Sequence, residues 1–435
     1  MHSTVRGVLA VAAVGAVSLS ACSGAFSWPA FAPPESPQSS RATHRSVVPA
    51  GSPYKVLYVF AGGSDGASPY AGLIKVNALL YGTTQIGGGI GCPRFGCGTV
   101  YDISTDGKES VLHRFAGGSD GEQPSAGLAY VNGQFYGTTG HGGGSGCDGY
   151  GCGTVYSVSK SGIETVLHHF GRREGTYPLA GLTDMSGTLY GTTFQGSGTR
   201  CGGAGCGTVY SVSTTGVVKT LHQFDRAGDG ANPATNLIEM NKRLYGTTSK
   251  GGGSGCGGTG CGTVYTISAT GVERVVYRFR GGSDGAYPNA LTKVNGTLFG
   301  TTQGGGDSPA CADGCGTVYS LKPNGAEGLL YNFKGRSDGA YPVSGLINVT
   351  GTLYGTTSKG GSDGLRCSGY GCGTVYSVST AGAERVLHRF AGRTDFDNPV
   401  APLIFANGNL YGTTTQGGRG CYGPGCGTVF ALSLP

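Results

Sequence analysis

The stretch CDGYGCGTVYSVS, residues 147 to 159, decides the fold. Two cysteines, Cys147 and Cys152, stand in front of a glycine and then an alternating run of Thr, Val, Tyr and Ser. Alternation of β-branched or aromatic residues with small polar ones is the pattern of a strand. The same words recur as CPRFGCGTVY, CGGAGCGTVY, CGGTGCGTVY, CADGCGTVY, CSGYGCGTVY and CYGPGCGTVF, so the clip is written seven times. Its second cysteines, Cys97, Cys152, Cys206, Cys261, Cys315, Cys372 and Cys426, are separated by 54 to 57 residues. A fixed period of that size marks a repeat architecture and overrides the two or three domains that 435 residues would otherwise suggest.

Each unit carries four short apolar runs. In one copy they are AGLTDM (180 to 185), TLYGTTF (188 to 194), GTVYSVS (207 to 213) and VKTLHQF (218 to 224), bounded by Gly, Asn or Pro. From residue 54 onward nothing reads as a long amphipathic helix. Four strands per unit, seven times, predict an all-β chain: a seven-bladed β-propeller of four-stranded blades over residues 54 to 435. The strands are called a to d in chain order. The repeat region opens with YKVLYVF (54 to 60), which matches d with no a, b or c before it, and finishes with GTVFALSLP, which matches c with no d after it. The register is rotated by one strand. The ring is therefore expected to close by pairing the N-terminal strand with the C-terminal three, which removes free sheet edges. A linear solenoid needs no rotation and carries capping repeats instead.

Propeller geometry sorts the connections. The long b–c loops, with their GGG runs and clips, and the d–a loops, such as GGSDGAYP, share one face. The short a–b and c–d turns, such as Val131-Asn132-Gly133 and Ser213-Thr214-Thr215-Gly216, share the other. Loops held by a rigid scaffold are where binding resides, so the loop face is the expected functional face.

Glycine supplies 88 of the 435 residues, at recurring places that read as turns. The net charge of +6 is spread without a Lys/Arg block, which points away from nucleic acid. Of fifteen cysteines, fourteen lie in the clips, and each clip is expected to close on itself. The pairs are Cys92/Cys97, Cys147/Cys152, Cys201/Cys206, Cys256/Cys261, Cys311/Cys315, Cys367/Cys372 and Cys421/Cys426. A disulfide across so small a loop removes about 2 kcal/mol of unfolded-chain entropy and pins the start of strand c. A four-cysteine zinc site would need thiolates from loops splayed apart around the ring, so no metal is expected there.

Two signals remain inside the repeat. Four residues before a proline, each d–a loop carries an acid: Asp65, Asp120, Glu174, Asp229, Asp284, Asp338 and Asp395. Such a residue caps a tight turn. The same ring would face a ligand such as sugar hydroxyls, beside Tyr177, Tyr287 and Tyr341. Calcium is the other candidate for the ring; it wants six to eight oxygens, so one carboxylate per loop would need backbone carbonyls and water beside it. One position of strand d holds His113, His168, His222 and His388, or else Tyr58, Tyr277 and Tyr331, an exchange that reads as packing and hydrogen bonding. Departures from the repeat (His141, Arg94, Arg200, Asp307, Asp313, Asp363, Arg366 and Asp397) are scattered. They make no catalytic motif, and no catalytic residue or cofactor is expected.

The fifteenth cysteine stands at the chain's start. Residues 1 to 21 have a short n-region with Arg6 and an apolar run too short to span a bilayer comfortably. They end in Leu19-Ser20-Ala21, and with Cys22 this resembles the bacterial lipobox. That resemblance implies cleavage before Cys22 and a diacylglycerol on its thiol, anchoring the chain to the outer membrane or cell surface. Residues 22 to 53, rich in Pro, Ser and Ala, read as a disordered tether.

The unit LYGTT–GG–GCGTVYSVS–G–E–VLHRF resembles the Gloeo/Verruco tandem repeat of exported bacterial proteins over residues 54 to 435. The resemblance implies export and a surface-sorting device, which here would be the lipid on Cys22. It implies no chemistry for particular residues. The b and c strands are also loosely similar to kelch repeats, which bear on shape alone. The expected function is a monomeric, surface-anchored, non-enzymatic propeller that binds a glycan or protein. A polysaccharide lyase or hydrolase and a structural envelope protein are the alternatives.

Overall fold

The computed structural model describes residues 53 to 434, apart from 90, 93, 94, 226, 227, 362 to 366, 393 to 395, 419, 420 and 422 to 424. The expectations for the signal segment, Cys22, the tether and Asp395 lie outside the described residues. Among the described residues no helix is long and apolar enough to cross a membrane.

Residues 54 onward form seven antiparallel sheets with strands in the order a-b-c-d. The first blade is Ile74–Val76, Leu79–Thr84, Thr99–Ser104 and Glu109–Arg114. The three-residue a strands neighbour one another around the ring, which places them innermost. The seventh blade takes Ile404–Ala406, Asn409–Thr414 and Thr428–Ser433 from the end of the chain and Tyr54–Val59 from its beginning. Tyr54 pairs with Leu432 and Val59 with Thr428, so the ring closes as the rotated register requires. One blade exceeds the plan. In the fifth, Ala286–Pro288 forms an extra strand against the end of a lengthened b strand, Thr297–Gly304.

Blade cohesion comes from one aromatic contact repeated seven times. The Phe that ends each strand d meets the aromatic ring of strand c in the next blade edge-on: Phe115 with Tyr156, Phe170 with Tyr210, and so round to Phe60 with Tyr101. Ring centroids are 5.0 to 5.4 Å apart, the edge-to-face geometry that aromatic quadrupoles favour. The Gly of each YGTT run exists for the same ring. A Cβ on Gly137 would lie 2.4 Å from the Tyr156 hydroxyl. The hydroxyls of Tyr101, Tyr156, Tyr210, Tyr265, Tyr319 and Tyr376 are buried without a hydrogen-bond partner, and the seventh blade uses Phe430 at this position. An orphaned buried hydroxyl costs stability. Tyr156→Phe is therefore expected to raise the unfolding free energy by about 1 kcal/mol, and Gly137→Ala to lower it by about 1 to 3 kcal/mol through overpacking. Denaturant titration of both variants checks this, and a destabilised Tyr156→Phe would refute it.

The second Thr of each YGTT run caps its sheet at the loop end. Its hydroxyl meets that of the first Thr of strand c at 2.8 to 2.9 Å, as in Thr139/Thr154 and Thr248/Thr263. Both partners are fully buried, so two hydroxyls satisfy each other where the sheet gives way to loops.

Candidate binding face

The d–a and b–c loops are knit into one surface. Within a blade they form a two-way backbone bridge: Glu122 N–H donates to His141 O at 3.0 Å and His141 N–H to Glu122 O at 3.1 Å. Between blades the link runs through the clips. All seven cysteine pairs are disulfides within their own loop, with Cα–Cα distances of 5.1 to 5.4 Å. The carbonyl of each second cysteine accepts the N–H of the residue just before proline in the next d–a loop, at 2.8 to 3.1 Å. Those pre-proline residues are Ser68, Gln123, Tyr177, Asn232, Tyr287, Tyr341 and Asn398, each with φ between 54° and 60°. Left-handed backbone at non-glycine residues is strained, and it persists only where its surroundings enforce it. Here the clip carbonyl and the proline enforce it. The disulfide thus does more than pin strand c: it holds the acceptor that docks the next blade's loop.

The acidic ring is turned inward. Asp65 accepts from Ala61 N–H at 2.6 Å and from the Tyr58 hydroxyl at 2.7 Å. Asp338 does the same with Lys334 N–H and the Tyr331 hydroxyl, as does Asp284 with Arg280 N–H and the Tyr277 hydroxyl. Asp120, Glu174 and Asp229 accept from Ala116, Gly171 and Asp225 N–H and face His113, His168 and His222. These six carboxylates close their own loops onto strand d, the capping and hydrogen-bonding role that the sequence suggested beside ligand binding. The glycine after each of the six rests on the buried second Thr of strand b: a Cβ on Gly66 would meet Thr84 Oγ1 at 2.4 Å. Phe396, which replaces that glycine in the last loop, is buried with φ 70°.

What the loop face offers to solvent is carried instead by residues that vary. Among the described residues, three clip tips present exposed aromatic rings: Phe95, Tyr150 and Tyr370. At the junction of the second and third blades, His141 lies between two of the tyrosines, its ring 6.1 Å from Tyr150 and 5.0 Å from Tyr177. Burial pushes the His141 pKa down, so the imidazole is neutral at pH 7, and its Nδ1 is buried without a hydrogen-bond partner. Arg172 and Asp148 form an exposed ion pair of 2.6 Å at the rim. On the sixth blade Lys359 Nζ stands 4.3 Å from the Tyr370 ring centroid. A separate shallow cavity of about 620 Å³ lies along Asp307, Ser308, Lys334 and Arg336. The backbone pattern repeats around the ring and the side chains do not, so the face does not offer equivalent sites at every blade. The sequence picked out His141 and Tyr177 but missed Tyr150. Its signal was the middle of CDGYGC, hidden because the same position reads Ala204 or Thr259 in other clips.

The family model described as the Gloeobacter/Verrucomicrobia repeat matches residues 38–205, 93–311, 145–369 and 310–435. The chain belongs to that repeat family. No curated protein matches it in sequence. Among solved structures, the repeat domain is similar to the computationally designed Ika8 protein at 13% identity, covering 87% of this chain and 99% of that one, with a TM-score of 0.47. It is also similar to an aldose sugar dehydrogenase from Streptomyces coelicolor (13% identity, 87% and 97% covered, TM-score 0.45). A gluconolactonase from Xanthomonas campestris is a further neighbour (14% identity, 65% and 79% covered, TM-score 0.36). Likeness at this level carries no argument about what the Gloeobacter/Verrucomicrobia repeat binds.

Proposed function

We propose that this chain is an exported, lipid-anchored and non-enzymatic propeller that binds an extracellular glycan through its loop face. Seven disulfides suit an oxidising compartment. The observation that carries the ligand class is the Tyr150–His141–Tyr177 cluster. Its rings combine an apolar face for a sugar ring with polar edges for hydroxyls. The disulfide and the interblade hydrogen bond hold them in place before any ligand arrives, so little ordering entropy is lost on binding. Arg172 and Asp148 add charged hydrogen-bonding groups at the rim. A repeating polymer would further engage Phe95 and the Tyr370/Lys359 pair on the same face, adding avidity.

The test is a glycan-array screen of the oxidised protein, followed by titration of the best ligand. Tyr150→Ala combined with Tyr177→Ala is expected to weaken binding at least about tenfold, or about 1.4 kcal/mol, while leaving the melting temperature within a few degrees. A blank array from folded protein, or undiminished binding by the double variant, would sink the proposal. Turnover of the bound polymer would replace it with the lyase or hydrolase reading.

A further inference from the structure

At the outer part of the blade junctions, among the described residues, three positions converge: the His or Tyr of strand d, the acid of the d–a loop that follows, and the first residue of strand d in the next blade. The seven junctions fill them differently. In three, a tyrosine hydroxyl donates to the acid: Tyr58 to Asp65, Tyr277 to Asp284 and Tyr331 to Asp338. Elsewhere the third position is not acidic, with Val218 beyond the His168/Glu174 pair and Tyr54 stacked on His388. Among the described residues, two junctions alone set an imidazole against two carboxylates. They are His113 with Asp120 and Glu164, and His222 with Asp229 and Glu273, and in each the potential donor atoms all lie within 4.8 Å of one another.

We infer that these two clusters each bind a divalent transition-metal ion of the zinc class. One imidazole nitrogen and two carboxylates are a ligand set that suits Zn²⁺. Metal–ligand bonds of about 2.0 to 2.2 Å in a tetrahedron place neighbouring donor atoms a little over 3 Å apart. His113 Nε2 stands 3.5 Å from Asp120 Oδ1, and His222 Nε2 stands 2.8 Å from Asp229 Oδ2.

The supporting shell is built. Ala116 N–H and Asp225 N–H fix the two aspartates, and the edges of Phe115 and Phe224 fix the imidazoles at 4.8 Å. His113 Nε2, Glu164 Oε1 and Glu273 Oε1 are buried and make no hydrogen bond. Where tyrosine stands, an O–H supplies the acid with a proton donor. Where histidine stands, the same ring nitrogen faces two carboxylates; in the metal-free protein His222 Nε2–H donates to Asp229 Oδ2 at 2.8 Å, and a metal ion would take the place of that proton. At the second cluster a shallow cavity of about 380 Å³ touches Asp229 and Glu273 and leaves room for a water ligand. Because His113 and Glu164 belong to neighbouring blades, as do His222 and Glu273, each ion would staple one blade to the next.

The internal variation supplies the test. The full exported chain, with its cysteines oxidised and stripped by chelator, is titrated with Zn²⁺ by calorimetry near pH 7.5, and bound metal is counted by mass spectrometry. Two ions per chain are expected, with a rise in melting temperature. His113→Tyr and His222→Tyr each install the residue that the fold already uses at three sister junctions, so both metal-free variants are expected to melt like the parent. Each is expected to lose one equivalent, and together they lose both. Tyr277→His, with Asp284 and Glu327 already in place, is expected to gain a third. No uptake by the parent chain, or undiminished uptake by the double tyrosine variant, overturns the inference.

Discussion

Deleting residues 54 to 60 is expected to abolish cooperative folding of the ring. That segment is the outer strand of the last blade, laid against Thr428–Ser433. Tyr54 is 2% exposed, stacked on His388 at 4.0 Å and 5.5 Å from Phe430. Phe60 is fully buried and joins the last blade to the first through Tyr101. Removing two buried aromatics costs about 3 to 5 kcal/mol each, and the deletion also bares an unpaired edge along strand c. Against a typical net stability of about 5 to 15 kcal/mol, the loss approaches the whole. Thermal melts monitored by circular dichroism, together with soluble yield, check this. A truncated chain that melts within a few degrees of the parent would contradict it.

Full reduction is expected to unfold the protein at 37 °C. Each clip closes a loop with cysteines 5 apart, or 4 at Cys311/Cys315, and such a loop contributes about 2 kcal/mol. The seven contributions together match or exceed the usual net stability. A single clip removed as Cys147→Ser with Cys152→Ser is expected to cost about 2 kcal/mol. It should also loosen the next loop at Tyr177, whose N–H is held by the Cys152 carbonyl. The measurement is a melt with and without reductant, with free thiols counted by mass. An unchanged melt with all fourteen thiols free would refute the entropy argument.

The architecture was legible because every repeat spends the same residues on it. Cys-Gly-Thr-Val at the start of strand c, YGTT in strand b and the leading YKVLYVF forecast the strands, the clips and the closing pair. The extra strand Ala286–Pro288 was not legible, since its proline reads as a strand breaker. The candidate sites were less legible for two physical reasons. Glu164 was invisible as a partner of Asp120 because the two lie 44 positions apart in sequence and meet only when one blade stacks on the next. Tyr150 was invisible because a repeat is recognised by what its copies share, and a ligand is recognised by what they do not. The left-handed backbone of Tyr177 likewise has no signature in a sequence where proline follows.

The closing strand also has a mechanical meaning. Tyr54–Val59 enters at the end bearing the short turns and runs out toward the loop face. A load applied through the segment before Tyr54 and resisted by something held on the loops would pull along that strand's axis. Its ladder to Thr428–Ser433 would then be sheared as a set rather than opened one bond at a time. The ring is thus fastened in the direction in which an antiparallel pair resists most, and tension on the chain's leading end is met by every hydrogen bond of the seam at once.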